Sequence, residues 1–333
     1  MAIADRVTVL RQGKTTSVAE KGSFDEQSLA VAMTGHELRE IHRAEHDIDR
    51  EILLEIENLV VDDEKRAGAA EGVLPRRRFQ VGDLIGQHGM RIHSVDHVSL
   101  EVHSGEILGV AGVEGNGQRQ LVDALAGVAD IASGTVTIDG VNITHATPRS
   151  RHNAGLGVVP EDRHGWGLVL DMTLEENLAM ASIPAGKYTK RGLLQWREVR
   201  QDARQLLEAY DVRPADPSIK ALNLSGGNQQ KVVIAREMAR NPKVLVAANP
   251  THGLDVGATE FVRRKIVEAR DSGQAILLVS HDLDELFELA DRVLVLYRGE
   301  VLYQASIGDV EMNELALAMA GTKPDSETKA SAK

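Results

Sequence analysis

The stretch Leu224-Ser225-Gly226-Gly227-Asn228-Gln229-Gln230-Lys231 decides how this chain is read. It has the makings of a helix start built to face an anion. Ser225 stands where an N-cap belongs, and Gly226 and Gly227 let a phosphate come close to the backbone. The N–H groups of the first helical turn then point at that phosphate. The pattern predicts a helix over 228–240.

Composition sets the outer bounds. With 333 residues the chain can bury a full core in one large or two modest domains. A net charge of −12 argues against nucleic-acid binding by bulk electrostatics, so no nucleic-acid partner is expected. The absence of cysteine removes disulfides, thiol catalysis and cysteine metal sites. Aromatic residues are only 3% of the chain, which argues against base-stacking platforms. No apolar run has the length of a spanning helix, so a membrane role has to go through a partner.

A second glycine motif lies upstream. Gly112-Val113-Glu114-Gly115-Asn116-Gly117-Gln118-Arg119 follows the apolar run Ile107–Ala111 and opens a helix predicted over Gln118–Ala126. That is the setting of a phosphate-binding P-loop, whose consensus ends in Lys and Ser/Thr. Here Gln118 and Arg119 occupy those two places, so the loop lacks a charge for the β/γ-phosphates and a hydroxyl for magnesium. The strand Val244–Ala247 runs into Ala248-Asn249-Pro250-Thr251, where P-loop NTPases place acidic residues. Alanine has no ligand atom, and asparagine cannot take a proton from water. His281 follows the strand Ala275–Val279 and is a candidate to touch a γ-phosphate or the attacking water.

The chain also repeats itself. Ala4-Asp5-Arg6-Val7-Thr8-Val9-Leu10-Arg11-Gln12-Gly13 matches Ala290-Asp291-Arg292-Val293-Leu294-Val295-Leu296-Tyr297-Arg298-Gly299 at seven of ten positions, an offset of 286. At the same offset Gly22 meets Gly308, and Leu29–Gly35 meets Leu315–Gly321. Such a repeat signals a duplicated unit. Its first copy here has only the tail, and the expectation is a second half of a longer tandem protein with a remnant of the first.

The expected organisation is therefore a remnant over 1–35, a charged linker over 36–50, a domain over 51–321 and a disordered tail over 322–333. Strands are predicted at Leu53–Val61, Val95–Val102, Thr135–Ile138 and Leu156–Val159, and an exposed loop at Asp62–Arg78. Residues 173–211 read as mostly helical, within a helical subdomain at about 170–235. A helix is predicted over 257–271. Alternation of strands and helices predicts an α/β fold on a mainly parallel sheet. Three further motifs carry little. Gly13-Lys14-Thr15-Thr16 ends like a P-loop, but its first glycine would fall at Thr8. His42-Arg43-Ala44-Glu45-His46 spells a zinc pattern inside the charged linker and reads as a solvated helix face. Asn142-Ile143-Thr144 lacks the secretory context of a glycosylation site.

Taken in order, the glycine loop, Pro160-Glu161-Asp162-Arg163, LSGGNQQK, Asn249-Pro250-Thr251, Gly253-Leu254-Asp255 and Ser280-His281-Asp282 resemble the ATP-binding cassette (ABC) ATPases over about residues 50–321. The repeat resembles the tandem cassettes that power bacterial import of simple sugars and nucleosides. The forms Gly-Asn-Gly-Gln at 115–118, Pro-Glu-Asp-Arg at 160–163 and Gly-Leu-Asp-Val-Gly-Ala at 253–258 point to the nucleoside branch.

The resemblance implies a P-loop NTPase cassette with a mainly parallel core, an antiparallel β portion and a helical subdomain. It implies ATP as cofactor, held through Gly112, Gly115, Asn116, Gly117, Gln118, Arg119 and Gln120 on the Walker side. Ser225, Gly226, Gly227, Gln229 and Asp255 would serve on the signature and D-loop side. Glu161 falls at the Q-loop position, Asn249 at the catalytic-glutamate position and His281 at the switch histidine. No metal ligand is expected in this chain, and Mg2+ is expected only at the composite site shared with a partner cassette. The implied partners are membrane permease subunits, a partner ABC cassette and, indirectly, a solute-binding protein. The implied place is the cytoplasmic face of the plasma membrane. ATP hydrolysis is expected of the complex and left open for this chain alone. The alternatives are an inert regulatory or scaffolding cassette, a non-transport ABC protein, or a truncated gene product.

Overall fold

A computed structural model describes residues 5–11, 14–20, 31, 51–62, 93–183 and 186–323. The linker over 36–50 with its histidine pattern, the loop after Asp62 and the tail beyond 323 lie outside the described residues. The chain divides into two compact units. One comprises residues 47–161, 240–249 and 270–333; the other comprises 1–46, 162–239 and 250–269.

The first unit is built on two sheets. Strands β3 (Ile52–Asp62) and β4 (His93–His103) pair antiparallel, and β3 also pairs with β6 (Ser133–Ile138), which in turn pairs with β7 (Val141–Asn142). The second sheet has the order β14-β13-β5-β12-β11-β8. Its members are β5 (Ile107–Ala111), β8 (Leu156–Val159), β11 (Val244–Ala248), β12 (Ala275–Val279), β13 (Arg292–Tyr297) and β14 (Glu300–Ser306). All neighbours are parallel except β13 and β14. Every residue of β5, β11 and β12 is buried, as strands covered on both faces require. Leu54, Ile56, Leu100, Leu108, Leu121, Leu125, Val246 and Leu277 share one core.

Helix α1 (Gln118–Ala126) begins at Gly117 and stops at Gly127, both left-handed. Helix α2 (Pro148–Ala154) has Thr147 accepting from the Ser150 N–H, proline in its first turn and left-handed Gly155 beyond its end.

The second unit carries α3 (Leu174–Ala179), α4 (Trp196–Ala209), α5 (Gly226–Met238) and the body of α6 (Val256–Asp271). Thr173 and Glu176 close a reciprocal capping box on α3. The helical expectation for 173–211 is interrupted by a hairpin, β9 (Thr189–Lys190) with β10 (Leu193–Leu194). Arg191 and Gly192, both at positive φ, form its two-residue turn, a geometry that places the hairpin twist correctly.

The repeat is reproduced in structure. Strands β1 (Arg6–Arg11) and β2 (Lys14–Glu20) lie 286 residues before β13 and β14 and have the same lengths. Their pairing runs from Arg6↔Glu20 to Arg11↔Lys14 with a shift between Val9 and Leu10. The C-terminal hairpin runs from Arg292↔Ser306 to Tyr297↔Glu300 with its shift between Val295 and Leu296, the equivalent place. Helix α7 (Leu283–Leu289) and helix α8 (Met312–Met319) complete the first unit. Among the described residues, no helix is long and apolar enough to cross a membrane.

Candidate functional site

Four of the expected site positions directly follow the carboxyl ends of neighbouring parallel strands. Gly112 follows β5, Glu161 lies just beyond β8, Asn249 follows β11 and His281 lies just beyond β12. Ligands of open α/β sheets sit in this crevice. In the folded unit the His281 backbone N–H donates to the Asn249 side-chain oxygen at 2.9 Å. The His281 ring approaches the Gly112 carbonyl at 3.4 Å through Nδ1 and Glu161 at 4.0 Å through Nε2. The Ser280 hydroxyl donates to buried Glu285 at 2.7 Å and accepts from the Asp282 N–H at 3.1 Å, which steadies the turn that presents His281.

The glycine loop has the backbone of a phosphate cradle. Gly117 takes φ +107, and a Cβ there would collide with the Ser94 carbonyl oxygen, so only glycine fits. Asn116 ties the loop from both ends of its amide, donating to the Val113 carbonyl at 3.0 Å and accepting from the Arg298 N–H at 3.0 Å. Gln118 is buried and donates to that same Val113 carbonyl at 3.2 Å. Its carboxamide thus folds back onto the loop. Arg119 points into solvent, 70% exposed, within 3.6 Å of Asp123. Gln120 is half-buried in the first turn of α1.

Phosphates fit this cradle, because the first-turn N–H groups of α1 have no acidic residue competing for them. Magnesium lacks its usual ligands at four positions, and of the expected site positions at the strand ends only Glu161 carries a carboxylate. Gln118, Arg119, Ala248 and Asn249 supply neither hydroxyl nor carboxylate at the places where the fold would offer them. Asn249 is itself spent on shaping the site. It is buried, left-handed at φ 42°, and its side chain holds His281.

In the second unit α5 begins at Gly226, two residues earlier than expected. Ser225 occupies the N-cap position, but its hydroxyl caps no backbone N–H and accepts from the Asn228 side chain at 3.0 Å. The first-turn N–H groups are therefore left to an outside acceptor. Gly227 lies so close to α6 that a Cβ would stand 2.9 Å from the Ala258 Cβ and 3.4 Å from Asp255 Oδ2. Asp255 accepts from the Ala258 N–H at 2.8 Å and so caps α6.

Gln229, expected to touch nucleotide, is buried with both ends of its amide engaged. It donates to the Ala221 carbonyl at 3.1 Å and meets His164 at 2.9 Å. Gln230 donates to the Pro250 carbonyl at 2.8 Å. Lys231 holds Asp211 at 3.0 Å over the Phe261 ring. Burial pushes the Asp211 carboxyl up, but its bonds to Lys231 and Arg213 outweigh that and hold it below its ordinary value.

Arg163 is the residue sequence reasoning passed over, although it was in the Pro-Glu-Asp-Arg run. It reaches from the turn Arg163–Gly167 to the His252 carbonyl at 3.1 Å, and its Nη2 stands 3.0 Å from where a Gly226 Cβ would be. Its Nε is buried with no hydrogen-bond partner.

The strand order, the glycine loop and the glycine helix start define an ATP-binding cassette of the P-loop NTPase class. Residues 95–252 match the family model described as ABC transporter, and the chain contains an ABC transporter ATP-binding domain. It is similar to the nucleoside import ATP-binding protein NupA of Lactococcus lactis subsp. cremoris (strain MG1363), at 37% identity over 96% of this chain and 58% of that protein. It is also similar to the guanosine import ATP-binding protein NupO of Bacillus subtilis (strain 168), at 39% identity over the same shares. The chain thus spans a little over half the length of these curated relatives. Among solved structures, the dimeric bacterial ABC transporter cassette MJ0796 superposes with a TM-score of 0.60 at 22% identity, covering 77% of this chain and 99% of that one. That likeness establishes the fold.

Proposed function

We propose that the chain is an ATP-binding, energy-coupling part of an importer for nucleosides or simple sugars, and that it corresponds to the second cassette of a tandem protein. The similarity to nucleoside and guanosine import proteins over just part of their length supports this reading. So does the duplicated hairpin, whose two copies share register and bulge. Permease subunits at the inner face of a membrane are the partners this role requires, with a solute-binding protein acting through them.

Within that role the two sides of the cassette differ. The Walker side has a phosphate cradle but no lysine at 118, no hydroxyl at 119 and no carboxylate at 248 or 249, and the one acidic group among its expected site positions at the strand ends is Glu161 at the Q-loop position. Its part is to bind nucleotide weakly, with Asn249 positioning His281 rather than serving as a base. The signature side keeps its glycines and leaves the first turn of α5 open. Its part is to cap ATP held by a partner cassette, where Mg2+ would be bound and hydrolysis would occur. Two observations, one in each unit, carry this division: Gln118 folds onto the Val113 carbonyl, and the signature helix has no side-chain cap.

The purified chain is expected to bind a fluorescent ATP analogue weakly and to release no phosphate. Brisk magnesium-dependent turnover that disappears in Gln118→Ala would overturn the Walker assignment. In the tandem protein, Ser225→Arg is expected to abolish turnover. Unchanged turnover would overturn the signature assignment.

A further inference from the structure

We propose that the β9–β10 hairpin and the outer face of α4 form a docking surface for a bilayer rich in anionic phospholipid. The inference is independent of how the chain handles nucleotide, and it departs from the expectation that a membrane role goes only through a partner. Residues 187–205 contain Lys187, Lys190, Arg191, Arg197, Arg200 and Arg204 against Glu198 and Asp202 alone, in a chain whose net charge is −12. This concentration of one sign against the overall charge marks a surface for an anionic partner.

The packing shows what is left over for that partner. The inner side of this region is satisfied: Ala179, Tyr188 and Val199 form a small core against which Leu194 and Ile183 pack. Lys187 is held by Asp202 at 2.9 Å, and Arg200 by Glu175 at 2.7 Å. Lys190, Arg191 and Arg197 are exposed and make no ion pair among the described residues. Two large apolar side chains stand beside them without cover, Leu193 at 70% and Trp196 at 45% exposure. The alternation of the hairpin explains Leu193: with Leu194 turned into the core, its neighbour must face outward. Nothing inside the unit explains why that outward position is leucine rather than a polar residue. Trp196, Arg197 and Arg204 border a shallow open cleft along α4.

The chemistry favours a lipid surface over a protein. A protein interface centres on a contiguous apolar patch with a charged rim. Here two isolated apolar side chains are set among unpaired cations on a protruding turn. That arrangement suits the headgroup layer, where tryptophan rings settle, long basic side chains reach phosphates and a leucine dips toward the acyl chains. Each unpaired cation near an anionic leaflet strengthens binding about fivefold.

The test uses the full chain with vesicles of equal parts phosphatidylglycerol and phosphatidylcholine, and with vesicles of phosphatidylcholine alone. Co-sedimentation and, in a Trp166→Phe background, the emission of Trp196 are the readouts. The expected result is binding to the anionic vesicles only, a blue shift of Trp196, and loss of binding in strong salt. Lys190→Gln with Arg191→Gln and Arg197→Gln should weaken binding about a hundredfold, and Leu193→Asp should weaken it further. Arg264→Gln, outside this face, should not change it. Circular dichroism establishes that the variants are folded. Failure to sediment with anionic vesicles, equal binding to both vesicle types, or a triple variant that binds like the parent would overturn the proposal.

Discussion

Gly227→Ala tests how tightly the signature helix is held to the helix behind it. The new Cβ would lie 2.9 Å from the Ala258 Cβ. Two carbons settle at about 3.5–4.0 Å, so one helix must retreat by a good part of an ångström. Overpacking of this kind costs about 1–3 kcal/mol. Alanine in a helix recovers about 1 kcal/mol over glycine, so the single variant should be destabilised by about 0–2 kcal/mol. That range alone would be a weak test, and a double-mutant cycle sharpens it. Ala258→Gly removes the opposing methyl and should cost about 1 kcal/mol in helix propensity. In the double variant the collision is gone. Its destabilisation should therefore fall short of the sum of the singles by about 1–3 kcal/mol. Urea unfolding followed by tryptophan emission suits the measurement, because Trp166 and Trp196 both lie in the unit that contains α5 and α6. Coupling below about 0.5 kcal/mol would refute the close packing of Gly227 on Ala258.

Asn249→Ala loses the acceptor for the His281 N–H and places alanine at φ 42°. The expected cost is about 2–3 kcal/mol by urea unfolding, with Asn249→Asp, which keeps the acceptor, close to the parent. Gln118→Lys breaks the fold-back onto Val113 and restores a cation, so affinity for a fluorescent ATP analogue should rise about tenfold. Phosphate release should stay absent because Ala248 and Asn249 still offer no carboxylate. Thr173→Ala removes the capping box of α3 and should cost about 1 kcal/mol. The Thr173 backbone N–H, and then its hydroxyl, holds the Glu176 carboxyl below its ordinary value. A depressed carboxyl contributes stability above its unfolded pKa of about 4.3 and loses it as pH falls through the lower folded value. Thr173→Ala keeps the backbone N–H and should leave the acid limb of the stability curve nearly unchanged, whereas Glu176→Gln, which has no carboxyl to titrate, should flatten it, as thermal melts across pH would show.

Much of the fold was legible because its signals are local. The bounds of β5, α1, β8 and β12 coincide with their sequence readings, since unbroken apolar runs and glycines at the helix ends mark them within a few residues. The hairpin at 189–194 was missed because Lys190 and Leu193 keep a helix-compatible pattern on either side of the Arg191-Gly192 turn. The glycines of the site were found for the same local reason as the strands. The tasks of Gln229 and Arg163 were not, because a side-chain amide or guanidinium takes its role from partners far along the chain, His164 for one and His252 for the other.

The residue types at 112–119, 224–231, 248–249 and 281 settle on their own which chemistry is present and which is missing. With Gln at 118, Arg at 119, Ala at 248 and Asn at 249, those four positions lack lysine, hydroxyl and carboxylate in any conformation. The identity of the repeat is likewise readable in the chain. Folding alone made the geometry. Hydrogen bonding of parallel strands brings Gly112, Glu161, Asn249 and His281, up to 169 positions apart, to one edge of a sheet. It also turned Gln118 onto Val113 and left the Ser225 hydroxyl to Asn228 instead of the helix end. These outcomes depend on distance and direction in space, and a one-dimensional pattern holds neither.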